Sequence, residues 1–125
     1  MASADMFRIT VRGKSAHGAS PESGVNPVQI LCQIYNGLQS IECSEKPRGS
    51  ALALTIGQIS AGRAGNVIPE QGFMCGSIRA YEENVRSLAK RRLKEISEQT
   101  AAMYGGRAEV EFPSELPATV NDLQV

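Results

Sequence analysis

Two residue periods alternate along this chain, and their order constrains the fold more than any other feature. Residues 6–12 alternate strictly, with Phe7, Ile9 and Val11 on one face and Arg8, Thr10 and Arg12 on the other. That is the pattern of a half-buried strand. Residues 13–24 are a Gly- and Ser-rich loop. Asn26-Pro27 then reads as a helix N-cap followed by proline in the first turn. A helix is expected over about 27–40, with Val28, Leu31, Ile34, Tyr35, Leu38 and Ile41 at helical spacing. Ile30 and Cys32 lie off that stripe, so the helix is expected to pack against something besides its own sheet. A second strand covers 51–60, with Leu52, Leu54 and Ile56 on one face and Ala53, Thr55 and Ile59 on the other. Residues 61–66 form a Gly-rich turn, and Val67-Ile68-Pro69 is a short apolar run. A third strand covers 72–80, with Met74 and Ile78 inward and Ser77 and Arg79 opposite. The longest helical pattern runs over 82–104. Val85, Leu88, Ala89, Ile96 and Met103 make its stripe, and Lys90, Arg91, Arg92 and Lys94 make a basic outer face. Gly105-Gly106 ends it. Residues 107–112 alternate again, with Ala108, Val110 and Phe112 inward, and 113–125 read as an irregular tail.

The order β-α-β-β-α-β predicts an α+β, ferredoxin-like sandwich: a four-stranded antiparallel sheet with two helices on one face. The second and fourth strands are expected at the edges. A length of 125 residues suits one domain, here 1–125.

Composition removes several classes of function. His17 is the only histidine, so one copy of the chain cannot build a site with two histidine ligands. The only aspartates, Asp5 and Asp122, lie at the two ends, which argues against a Ser-His-Asp triad unless a terminus folds back. Cys32, Cys43 and Cys75 are odd in number and lack CxxC spacing. They read as reduced, semi-buried thiols of a cytoplasmic protein rather than a disulfide framework or zinc knuckle. Thirteen basic residues balance thirteen acidic ones, and the six aromatics are poor material for stacking bases, so no nucleic-acid partner is expected. No apolar run approaches the ~18 residues of a membrane span, so no membrane partner is expected either.

Three places carry chemistry. His17 sits on a loop of small residues, with room around its ring. Residues 62–66 combine glycines, which allow close backbone approach, with the carboxamide of Asn66. Arg79 ends a strand whose other face is core, and arginine suits bidentate recognition of a carboxylate.

Taken together, GKSAHGASPESGVNP, GQISAGRAGNVIPE and GSIRA strongly resemble the dimerisation (lid) domain of zinc-dependent aminoacylases, carboxypeptidases and hippurate hydrolases, in its N-acyl-amino-acid amidohydrolase branch. The resemblance runs over residues 2–123. It implies that the chain is a lid domain cut from a larger zinc amidohydrolase, with Ala2-Ser3-Ala4-Asp5 leading in from the catalytic domain and residues 117–122 returning to it. Two zinc ions are then expected in that missing catalytic domain, with none held here, and the chain alone is expected to be inactive. The resemblance further implies that His17 reaches into the partner subunit's active site and stabilises the oxyanion. A donor in that role is typically worth roughly 3–4 kcal/mol. It implies that Asn66 contacts substrate, that Arg79 binds the substrate's free carboxylate, and that Gly65 permits close backbone approach.

The expected partners are therefore a second copy of the chain, the catalytic domain of its parent, and a small N-acyl amino acid or peptide. The homodimer would form through the first helix and the uncharged second strand, since such an edge is a liability unless covered. The alternative is a regulatory module of the same fold that binds a free amino acid and catalyses nothing.

Overall fold

The computed structural model describes residues 2–117. Its elements are β1 (Ser3–Arg12), β2 (Ala16–His17), α1 (Pro27–Ser40), β3 (Leu52–Ala61), β4 (Val67–Ile68), β5 (Gln71–Ala80), α2 (Glu83–Met103) and β6 (Arg107–Leu116). The four long strands form one antiparallel sheet in the order β3-β5-β1-β6, so the second and fourth long strands are the edges, as expected. Both helices cover one face. Phe7, Ile9 and Val11 of β1 and Met74 and Ile78 of β5 are buried there against Ile30, Leu31, Ile34 and Leu38 of α1 and Val85, Ala89 and Leu93 of α2.

Local signals set the helix ends. The Asn26 side chain accepts a hydrogen bond from the Val28 amide at 3.0 Å, and Pro27 opens α1. At the far end of α2, Gly105 has φ 85°. The Gly106 amide donates to the Ala101 carbonyl at 2.8 Å and the Gly105 amide to that of Ala102 at 3.0 Å. This is the paired closure that a left-handed residue at the helix end allows.

The structure corrects several expectations. The buried stripe of α1 is Pro27, Ile30, Leu31, Ile34 and Leu38, so Ile30 belongs to it while Val28 and Tyr35 do not. Those two are 41% and 40% exposed, and with exposed Cys32 they form the surplus apolar face. Cys43 is exposed too, so only Cys75 is a half-buried thiol. The α2 stripe advances in steps of four, through Val85, Ala89, Leu93, Ser97 and Ala101. Leu88 is only half-buried, and Met103, in the last turn beyond that stripe, is 71% exposed. In β3 a bulge at Gly57 shifts the register, so Ile56 faces Gly76 but Ile59 faces Met74. Ile59 therefore sits on the helix-covered face with Leu52, Leu54 and Ile56, not with Ala53 and Thr55. Residues 113–116 are not irregular, because β6 continues to Leu116. Pro113 falls where β6 gains a residue against β1, at a bulge on an edge strand, the place where a sheet tolerates proline.

The start of β1 is core rather than a loose lead-in. Ser3 is buried and exchanges hydrogen bonds with the Ala80 backbone at 2.9 and 3.2 Å. Asp5 is fully buried and receives a two-pronged contact from Arg86, at 2.8 and 3.0 Å, with Lys90 3.7 Å away. This pairing, reinforced by Glu83, raises the Arg86 guanidinium pKa further above its ordinary value. The expected return segment beyond Pro117, including Asp122, lies outside the described residues.

Candidate functional site at two ends of the sheet

The loop after β1 is pinned at its base and laced to the loop after β3. The Gly13 amide donates to the Glu70 carbonyl at 2.8 Å. Lys14 and Val25 exchange two backbone hydrogen bonds of 2.9 Å, which close residues 14–25 into a compact surface loop. Inside it, β2 pairs with β4, with Ala16 opposite Ile68 and His17 opposite Val67. The short apolar run at 67–68 is thus a strand that serves this loop rather than the main sheet. The Gly18 amide then reaches the Asn66 carbonyl at 2.8 Å. A Cβ on Gly18 would lie 2.7 Å from that same oxygen, so only glycine fits the crossing. Sequence reasoning passed over Gly18, although its place directly after the lone histidine was the available signal.

His17 and Asn66 therefore stand side by side, both exposed. The Ala19 amide donates to His17 Nδ1 at 3.2 Å. In the neutral ring Nδ1 is then the acceptor and Nε2 carries the proton, free to donate outward. Beside them lies a groove of about 540 Å³ lined by the N-cap Asn26, by Val28 of α1 and by residues 61–69. Gly65 is part of it, and a Cβ built on Gly65 would meet nothing within 4 Å, so the space above it is open. Arg63, which sequence reasoning did not single out, lines this groove and a second one that reaches Ser15, Glu70 and Gln71.

Arg79 is elsewhere. It pairs with Ala4 and Ala53 near the end of β5, whereas the His17–Asn66 loops meet the sheet at Gln71, where β5 begins. Eight residues of strand separate Gln71 from Arg79, roughly 27 Å at the usual rise. One copy of the chain thus brings His17, Asn66 and Gly65 together and leaves Arg79 out. Alanines on both sides of Arg79 leave its guanidinium uncovered on the open face of the sheet. There it lines a groove of about 440 Å³ with Lys46, Ala53 and Tyr81. Asp5 is committed to Arg86 and does not orient His17. Among the described residues, no group of three or more His, Cys, Asp or Glu could hold a metal ion. No helix among them is long and apolar enough to cross a membrane.

Residues 3–104 match the model of the peptidase dimerisation domain. The chain belongs to that family. The domain is 36% identical over 126 residues to thermostable carboxypeptidase 2 of Saccharolobus solfataricus, a match that covers 100% of this chain and 32% of the relative. It is 33% identical to N-acetylcysteine deacetylase of Bacillus subtilis, covering 98% and 32%. Among solved structures it superposes on a dinuclear metal-binding peptidase of the M20 family from Bacillus subtilis. The TM-score there is 0.72 at 29% identity, covering 95% of this chain and 28% of that one. The domain spans about a third of the length of the curated relatives it matches.

Proposed function

We propose that this dimerisation domain is the lid of a metal-dependent amidohydrolase acting on N-acyl amino acids or small peptides, and that it completes each active site across a two-fold axis. The observation that carries this reading is the separation of Arg79 from His17 and Asn66, with a bare, uncharged β3 edge running between the two ends. When two β3 edges pair antiparallel in full overlap, the Leu52 end of one lies beside the Ala61 end of the other. The partner's His17 loop then approaches this protomer's Arg79 groove. The exposed Val28, Cys32 and Tyr35 of α1 would meet their copies across the same axis.

In this arrangement Arg79 holds the substrate carboxylate. The partner's His17 donates through Nε2 to the carbonyl oxygen as charge develops on it, and the partner's Asn66 adds a carboxamide contact. The open space over Gly65 lets the substrate approach the backbone. The described residues carry no metal cluster of their own. In this reading the two zinc ions and the catalytic base belong to a catalytic domain in the same cytoplasmic parent chain, and the domain alone is inactive.

The test uses the parent hydrolase. His17→Ala should lower kcat by about 10²–10³, the usual loss for one oxyanion donor, with metal content unchanged. Wild-type kcat in that variant would remove the oxyanion role. The regulatory-module alternative would instead show free amino acids raising the domain's Tm, with activity indifferent to His17.

A further inference from the structure

The groove around Arg79 contains a second cation that the reading above leaves without a role. Lys46 follows the turn that ends α1 and lines the same space as Arg79, together with the exposed phenol of Tyr81. Among the described residues, no acidic side chain lines that groove. Six of this chain's thirteen cations, Arg12, Arg86, Lys90, Arg91, Arg92 and Arg107, each reach a carboxylate. Among the described residues, neither Lys46 nor Arg79 does. Two uncompensated positive charges in one concave space repel each other unless an anion joins them, so the space is built for negative charge. Arginine offers a planar fork to one carboxylate, whereas lysine is a point charge on a flexible stem. The pair therefore suits two separate anionic groups better than one.

We propose that Lys46 is a specificity-determining residue, and that the preferred substrate is an N-acyl amino acid with an acidic side chain. Its α-carboxylate lies on Arg79 and its side-chain carboxylate on Lys46. This inference rests on the lid reading and names the substrate class for the same site.

The experiment compares kcat/KM of the parent hydrolase for N-acetyl-L-glutamate and N-acetyl-L-glutamine, which differ in charge but hardly in shape. The wild-type enzyme should prefer glutamate by about tenfold, the worth of one charge-assisted hydrogen bond in a partly open site. Lys46→Met should bring that ratio to about one, and Lys46→Arg should keep most of it. A wild-type ratio at or below one overturns the proposal. So does a Lys46→Met variant that slows both substrates equally, as a merely structural lysine would. Arg79→Met separates the two levels of the argument. It should slow both substrates together, and unchanged rates there would sink the carboxylate role of Arg79 whatever Lys46 does. An enzyme that hydrolyses small peptides but no N-acyl amino acid overturns this inference alone, and one that hydrolyses neither contradicts the lid reading as well.

Discussion

The two edges of the sheet are treated in opposite ways. Strand β6 carries Arg107, Glu109, Glu111 and Glu115, has a proline where its register shifts, and lies beside a helix most of whose charges are matched. Lys90 pairs with Glu115, Arg92 with Glu45 and Glu95, and Arg12 with Glu109. Strand β3 has ten residues and no charge among them, and α1 beside it exposes Val28, Cys32 and Tyr35. Charges and proline blunt an edge against pairing, while a long uncharged edge next to an apolar helix face invites it. The fold itself is nearly symmetric in its two edges. In the proposed dimer, side chains alone make one of them a boundary and the other an interface.

This contrast can be broken from either side. The largest effect is expected on the charged side. Asp5→Ala leaves Arg86 in a buried setting with Glu83 as its only acidic partner among the described residues. It should cost about 3–5 kcal/mol, the usual result of removing one member of a buried ion pair. Urea unfolding of the chain measures this, and a loss below 1 kcal/mol would show that the pair carries little of the stability.

On the apolar side, a Val28→Glu, Tyr35→Glu double variant should leave the monomer folded, because both residues are already exposed. Like charges brought together across the axis should still cost several kcal/mol of dimerisation. Sedimentation should then shift from twice 13.4 kDa toward 13.4 kDa with the circular dichroism unchanged. A variant that still dimerises as tightly as the parent chain would move the interface away from α1.

Smaller effects sharpen the same comparison. Ser97 Oγ is buried on α2 with no hydrogen-bond partner among the described residues. Ser97→Ala should therefore raise stability by about 1 kcal/mol, since it removes a desolvated hydroxyl rather than a contact. A loss instead would mean that the hydroxyl is satisfied. Least is expected of Glu95. A hydrogen bond from Arg92, helped by the charge of Arg91, holds its carboxyl below the ordinary 4.5. Its contribution is present above about that pH and fades as pH falls through the lower folded value. Glu95→Gln should thus leave Tm at neutral pH nearly unchanged and slightly reduce its dependence on acid. A large drop at neutral pH would contradict the view that exposed pairs on this face contribute little.

Periodicity revealed the element order and most of the sheet's inward residues, because burial on one face repeats every second residue, and the usual spatial order of that plan supplied the edge strands. It failed where a single residue changes phase. In the run 52–61 only Gly57 itself, a glycine inside a strand pattern, signals the bulge that turns the still exposed Ile59 to the helix-covered face. Pro113 reads as a strand terminator until the partner strand accommodates it. In α1, apolar residues on two faces left open which stripe was core, and Ile30 was assigned to the wrong one. The candidate site was legible as three motifs, whose residues the family resemblance named. Their positions were not legible, since the distance from His17 to Arg79 depends on β5 running eight residues between them. Lys46 was invisible because a lysine after a helix has no pattern of its own until the fold sets it beside Arg79.

The central claim is that His17 and Arg79 serve one site from two different chains. The most direct test mixes two full-length variants under conditions that exchange subunits, one His17→Ala and the other Arg79→Met. Each variant alone should be nearly inactive, because both of its sites lack one group. In a mixed dimer, one site receives an intact Arg79 from the first chain and an intact His17 from the second. Random pairing should then restore about a quarter of wild-type activity. A mixture no more active than its separate components would mean that both residues act within one chain, and the two-chain site would be wrong.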